Sequence, residues 1–290
     1  MNPLQVLKRL AHAPVQLAKL ADRTERMFHL ERERALREIV QADPRLADPR
    51  SLNRFEHQLF SQCGQDGIIG EIFRRLGTTK GFFVEFGVGA GDGFETNTTN
   101  LLLQGWSGLW IEASDEGCAT IRRNLSSVLK SGQLRLHQAF LNRDNIADIF
   151  RQAQVPTSFD LLSIDIDGND LWMWQALRDF KPACVSIEYN SHFPARQDWV
   201  LPYRADHTWP VSMEYGASAK AIERVGTELG YRLVACDLTG CDCFLVRADL
   251  CADHFAGPFT AEQWHHPVRH YLIGRPGHAR RLHEPFSSRD

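Results

Sequence analysis

The sequence predicts an α/β fold: a doubly wound sheet of five parallel strands and a C-terminal antiparallel hairpin, preceded by an N-terminal helical extension. Three observations predict it. From residue 55 onward, short apolar runs alternate with helical stretches, the pattern of parallel strands buried on both faces and joined by right-handed crossovers. The alternation then breaks: Tyr231–Asp237 and Asp242–Arg247 are separated by only four residues around Thr239-Gly240, too few for a crossover helix and suited to a hairpin. Residues 1–42 differ from both, with helically spaced apolar side chains between charges of both signs.

Taken in order, the extension covers residues 1–54. Pro14 divides it, and Leu17, Leu20, Met27, Leu30, Ile39 and Val40 supply the apolar spacing. An amphipathic helix lying on its own domain is expected, with contact to a second copy as the alternative and a homo-oligomer as its consequence. Asp43-Pro44 and Asp48-Pro49 end the helix, because proline disfavours a helical residue before it. A main domain over 55–250 opens with a helix at 67–76. Strands follow at 82–86, 107–112, 133–138, 159–165 and 183–188, separated by helices near 97–104, 116–130, 144–153 and 169–178. An insertion at 191–215 precedes a helix at 216–229 and the hairpin. The tail, 251–290, carries His254, His265, His266, His270, His278 and His283 and reads as an irregular wrap over the core.

Composition narrows the function. A net charge of −3 argues against nucleic acid as a partner. No stretch approaches the roughly 18 apolar residues of a membrane span. Lys8, Arg9, Lys19 and Asp22 interrupt any signal-like run, so the expectation is a cytoplasmic protein with reduced thiols. Cys241-Asp242-Cys243 lacks the second pair that a zinc site needs.

Chemistry concentrates at the predicted strand ends. After the first strand comes Glu85-Phe86-Gly87-Val88-Gly89-Ala90-Gly91, where Gly87 and Gly89 let backbone approach a ligand closely. The third slot of a dinucleotide fingerprint, counted from Gly87, holds Asp92, and Glu85 would repel a pyrophosphate. A zwitterionic aminoacyl group and a sulfonium cation suit that setting better. Glu112, ending the second strand, is placed to accept hydrogen bonds from ribose hydroxyls. The fourth strand runs into Asp165-Ile166-Asp167-Gly168-Asn169-Asp170, whose carboxylates repel one another unless a cation or donors compensate. Asp167 and Asp170 also read as a turn that caps the following helix. Asp165, Glu188 and Asn190 form a hard-oxygen set for Mg²⁺, and His192 is a candidate general base.

The order EFGVGAG, WIE, FDLLSIDIDGND, VSIEYN resembles the class I S-adenosylmethionine-dependent methyltransferases with their Rossmann-like sheet, and within them the FkbM-like group. Ser61-Gln62-Cys63-Gly64-Gln65-Asp66-Gly67 is similar to a segment that precedes the first strand there. The likeness covers roughly residues 58–250. It implies S-adenosylmethionine held by Gln62, Glu85, Gly87, Gly89, Gly91 and Glu112, with Gln138 and Ala139 beside the adenine and Asp165 beside the sulfonium. It further implies in-line methyl transfer to a hydroxyl of a sugar or glycan, with Asp165 and His192 as catalytic residues. The insertion, with Trp199, Tyr203, Trp209 and Tyr215, suits either stacking on a sugar or a packed lid. Two other readings remain. LLSIDIDGND resembles the nucleophile loop of haloacid-dehalogenase-like phosphatases, although Asn169 stands where that loop has threonine. The fold would also serve as a non-catalytic cofactor-binding scaffold.

Overall fold

The computed structural model describes residues 3–274, with side chains from Pro14 onward; His278 and His283 lie outside the described residues. Helix α1 spans Pro3–Ala42 and passes through Pro14 without a break, contrary to the division expected there. Proline removes one backbone hydrogen bond, and the bonds on either side carry the helix across it. Only the C-terminal part of α1 lies on the domain. Arg32 and Leu36 are buried, whereas Val15, Leu17, Leu20, Met27 and Leu30 are all more than half exposed.

The domain is built on one seven-stranded sheet of order β3-β2-β1-β4-β5-β7-β6. The strands are β1 Phe82–Phe86, β2 Ser107–Glu112, β3 Leu134–Gln138, β4 Ser158–Ile164, β5 Lys181–Glu188, β6 Tyr231–Cys236 and β7 Asp242–Arg247. Strands β1 to β5 are mutually parallel. The predicted hairpin forms, but β7 inserts between β5 and β6 and is antiparallel to both. Strand β6 therefore runs with the first five, and one strand of the seven opposes the rest.

Helices cover both faces, giving three layers and two cores. One core gathers Val84, Phe86, Ile111, Leu162 and Val185 against α6 (Ile146–Gln152), α7 (Asp170–Ala176) and α8 (Ala219–Leu229). The other gathers Phe83, Trp110, Leu161 and Phe244 against α2 (Gln65–Leu76), α3 (Thr99–Leu103), α4 (Asp115–Asn124) and α5 (Ser126–Lys130). The single helix expected near 116–130 is two, because Leu125 leaves helical geometry (φ −117°, ψ 28°) and buries its side chain. Alternation within the strands explains the two faces: neighbours such as Phe83 and Val84 point into opposite cores. The tail is less irregular than expected, with α9 (Ala248–Cys251) and α10 (Ala261–Trp264), and Phe255, Trp264 and His266 are buried. No described helix is long and apolar enough to cross a membrane.

Arg32 ties the extension to two distant segments, donating from Nε to Leu272 O at 2.6 Å and from Nη2 to Cys63 O at 3.3 Å. Arg32→Ala would strand both buried carbonyls. We expect a loss of about 2 kcal/mol or more of folding stability, read by urea denaturation.

Candidate functional site

The five parallel strands end on one edge of the sheet, and the loops leaving β1, β2, β4 and β5 meet there. The chain after β1 turns through Gly87, Gly89 and Gly91, with φ of 80°, 57° and 69°. These glycines serve different ends. A Cβ on Gly87 would sit 1.3 Å from the carbonyl oxygen of Asp165, and one on Gly91 would sit 2.5 Å from that of Gly117. Both are dictated by the chain's own backbone. A Cβ on Gly89 would meet nothing within 4 Å, so its backbone is the bare surface of the loop.

Glu85 is nearly fully buried, and it faces the protein rather than a cavity. Its carboxyl accepts from Asn97 N at 2.7 Å, from Thr98 Oγ1, and from Ser163 Oγ at 3.4 Å. Asn97 Nδ2 donates in turn to Asp242 Oδ2 at 2.9 Å, and Ser186 Oγ reaches the same oxygen at 2.8 Å. Trp110 Nε1 closes the row by donating to Thr98 Oγ1 at 2.8 Å. The register explains why these residues meet: Trp110, Glu85, Ser163 and Ser186 stand side by side across β2, β1, β4 and β5. Glu85 thus pins the loop after the glycines through its protein partners. Burial pushes both Glu85 and Asp242 up to about 7.

A first cavity of about 240 Å³ opens over the ends of β1, β2 and β3, lined by Gly87, Glu112, Ala139, Phe140, Asp167 and Asn169 among others. One oxygen of Glu112 accepts from Ser114 N at 2.7 Å. Ala139 is at the wall as expected. Gln138 is exposed and turns to Asp115, because the next residue after an inward strand position points the other way. The nearly fully buried Asn169 donates from Nδ2 to Arg204 O at 2.7 Å, and its Oδ1 has no hydrogen-bond partner among the described residues. His207, Thr208 and Trp209 of the insertion roof the cavity.

Beside it, carboxylate oxygens of Asp165, Asp167 and Glu188 lie within 4.8 Å of one another. Asp165 and Glu188 follow the paired residues Ile164 and Ile187, so the β4–β5 register delivers them together. Asp167 joins by taking the left-handed conformation, φ 56°, which costs a non-glycine residue of order 1–3 kcal/mol and aims its carboxylate back at the cluster. Burial raises all three, and mutual repulsion adds to it for Asp165 and Glu188. Glu188 Oε2 is buried without a hydrogen-bond partner among the described residues. Asn190 does not belong to the set. Its Nδ2 donates to Met213 O and Tyr215 O at 2.8 and 3.1 Å, and its Oδ1 accepts from His192 N, so it fastens the insertion. Asp170 accepts from Ile166 N and Gly168 N at 2.8 Å each, so it holds the loop behind it and does not cap the helix ahead, contrary to the capping reading.

A second cavity of about 330 Å³ adjoins the first and shares Asp167 and Trp209 with it. Its walls include Gln62, Glu188, His192, Tyr215 and His270. Gln62 therefore faces this cavity and not the first. His192 and His270 rings lie 6.1 Å apart, and burial, with the neighbouring imidazole, holds His192 below its ordinary value. The aromatic residues of the insertion divide. Trp199 stacks on Phe193 and Tyr203 packs on Trp172, while Trp209 and Tyr215 face the cavities. Sequence reasoning missed Asp167, Asn169, His207 and His270 as site residues. The Asp-x-Asp spacing signalled Asp167; nothing local signalled His270, which arrives from the tail.

Two outcomes test this geometry. Gly87→Ala forces a Cβ into the Asp165 carbonyl, and we expect a loss of at least about 3 kcal/mol, measured by chemical denaturation. The buried acids also set a pH dependence. Burial and then the charge of Asp237 push Glu56 up to about 8, and Glu85 and Asp242 sit near 7. The native state keeps protons there that the unfolded chain releases near pH 4 to 4.5, so stability falls as pH rises toward 8. Buried His266, pushed down to about 3, works oppositely between pH 3 and 6.5. Unfolding free energy should therefore fall between pH 6.5 and 8, and Glu85→Gln should flatten that slope.

No family model matches the chain, and no curated protein does. The chain is similar to the CurJ carbon methyltransferase at 12% identity, covering 86% of this chain and 71% of that one with a TM-score of 0.42. It is similar to an O-methyltransferase from Bacillus cereus in complex with SAH at 14% identity, covering 72% and 88%, TM-score 0.39. A third is the glycopeptide N-methyltransferase MtfA complexed with S-adenosyl-L-methionine, at 12% identity, covering 64% and 93%, TM-score 0.36. None of these scores reaches 0.5, so the chemistry is read from the site's own residues.

Proposed function

We propose that the chain is an S-adenosylmethionine-dependent O-methyltransferase of the FkbM-like kind, acting on a sugar or glycan hydroxyl with the help of a divalent cation such as Mg²⁺. The observation that carries this reading is the pair of adjoining cavities that share Asp167 and Trp209, one walled by the glycine loop and Glu112, the other by the acidic cluster.

The residues of the first cavity fit the cofactor. Glu112 suits a ribose hydroxyl, and Asn169 Oδ1 is an acceptor in want of a donor; two residues beyond the lining Gly87, the exposed bare backbone of Gly89 suits the aminoacyl end. When bound, S-adenosylmethionine supplies an electrophilic methyl group on a sulfonium. The three clustered carboxylates and the unpartnered Glu188 Oε2 fit a hard cation, which would neutralise them and lower the pKa of an adjacent hydroxyl. Ala139 and Phe140 wall the apolar part of the cavity, and Trp209 and Tyr215 offer aromatic faces to an acceptor ring. His192, held neutral by burial, takes up the hydroxyl proton. Residues of the insertion line both cavities, so the chain's own contribution is alignment and proton removal. Exposed Leu17, Leu20 and Met27 on α1 support contact with a second copy.

Isothermal titration with S-adenosylmethionine is expected to show one site per chain, weakened at least about tenfold in Gly89→Val, whose side chain would fill the bare loop surface. Absence of binding with and without Mg²⁺ sinks the reading; phosphatase activity on a generic ester would favour the dehalogenase-like loop, and binding without turnover a scaffold. Glu188→Gln should keep cofactor affinity and lose stimulation of methyl transfer by Mg²⁺. His192→Ala should lower kcat/KM about 10²-fold and abolish the acid limb, which in the parent falls below pH 6.5 because the imidazole is held under that value.

A further inference from the structure

Four of the seven cysteines form two close thiol pairs, one within the β6–β7 hairpin and one between its turn and the turn before α2. Cys236 and Cys243 face each other across the strands with Sγ atoms 3.3 Å apart, sealed in the sheet. The other pair joins separate parts of the chain. Cys63 lies in the turn before α2, and Cys241 lies in the turn between β6 and β7, with Sγ atoms 3.1 Å apart. Both backbones are anchored. Cys63 N donates to Gln65 Oε1 at 2.7 Å, Cys241 N donates to Asp237 Oδ2 at 2.9 Å, and Cys241 O accepts from Tyr189 N at 2.8 Å. Cys241 also lines the second cavity, as does Gln62 next to Cys63. The pair is buried, but one of its residues stands in the cavity wall and the two sulfurs are already in contact.

We propose that Cys63 and Cys241 are a redox modification site, oxidised by peroxide entering the second cavity to a disulfide that joins two of its walls. The Cys241 thiolate attacks one oxygen of hydrogen peroxide, the O–O bond breaks, and the departing hydroxide is protonated to water, leaving a sulfenic acid. Cys63 sulfur then attacks that sulfur, the S–O bond breaks, and the hydroxide leaves with the Cys63 proton as water. Two thiols lose two electrons and one peroxide becomes two waters. Asp237 completes the group of three around the sulfurs, but its oxygens are taken by the amides of Thr239, Gly240, Cys241 and Asp242, so the group is a thiol pair and not a metal cage. The contact with Cys63 and burial hold Cys241 above its usual range, and burial does the same to Cys63. The reaction therefore accelerates by about tenfold per pH unit below the thiol pKa.

The test uses the full-length protein, reduced, exchanged free of reductant and treated with about 1 mM hydrogen peroxide at pH 8. Free thiols are then blocked and the chain is digested with trypsin without reduction. Residues 55–74 carry only Cys63, and residues 233–247 carry Cys236, Cys241 and Cys243, so the two pairs are distinguishable by mass. The expected product is a cross-link between these peptides, about 2 Da lighter than their sum, that dithiothreitol reverses. It should vanish in Cys241→Ala and in Cys63→Ala and persist in Cys243→Ala. A 2 Da loss confined to residues 233–247, over-oxidation without cross-link, or full alkylation of all seven thiols would each overturn the proposal. The parent's peptide map shows whether Cys63 is cross-linked, and the Cys241→Ala and Cys243→Ala maps assign its partner.

Discussion

The site rests on a carboxyl that never reaches it. Glu85 sits in the middle of the sheet, with Trp110, Ser163 and Ser186 beside it in register and Asp242 two hydrogen bonds away through Asn97. Burying two acids in one layer is costly unless donors answer them. Here the answer is the segment Asn97–Thr98, drawn down from the loop that follows the glycines. The same contacts that satisfy Glu85 fix where that loop runs. Burial, against the pull of those hydrogen bonds, raises both acids to about 7, so the network carries less charge under an already acidic edge than two ordinary carboxylates would.

Above this floor the chain stores strain at Asp167, one of five described non-glycine residues with positive φ. Asp167 takes a left-handed conformation that Gly168, its neighbour, would adopt more easily, and Asp170 binds the turn from below. The outcome is a third carboxylate facing Asp165 and Glu188 and standing on the wall between the two cavities. A strained residue held by two backbone hydrogen bonds at the seam of two cavities fits a role in ligand handling better than a role in folding. The insertion completes the enclosure with a division of labour: Trp199 and Tyr203 pack it down, which frees Trp209 and Tyr215 to face inward.

Much of this was legible in order along the chain. Short apolar runs between helical stretches located β1 and β2 to the residue, and the short link around Thr239-Gly240 announced a hairpin. Strand-end positions flagged Glu112, Asp165 and Glu188, since parallel strands deliver their last residues to one edge. Where a predicted site residue bonds elsewhere, the reason is a side chain's partner rather than its position. Glu85 and Asn190 stand at the right strand ends, but Glu85 turns to Asn97 and Thr98, and Asn190 turns to the carbonyls of Met213 and Tyr215. Gln138 misses the cavity by one step of alternation.

By itself the sequence determined the layers, the edge at which chemistry collects and the residue types gathered there, because burial periodicity and strand polarity are local properties of the chain. Tertiary structure decided the rest. It placed β7 between β5 and β6, divided the glycines into two that fit the chain's own backbone and one that leaves a surface bare, brought His270 from the tail to a cavity wall, and set Cys63 against Cys241. Those outcomes depend on which distant groups meet, and spacing along a chain does not encode a meeting between residues 63 and 241.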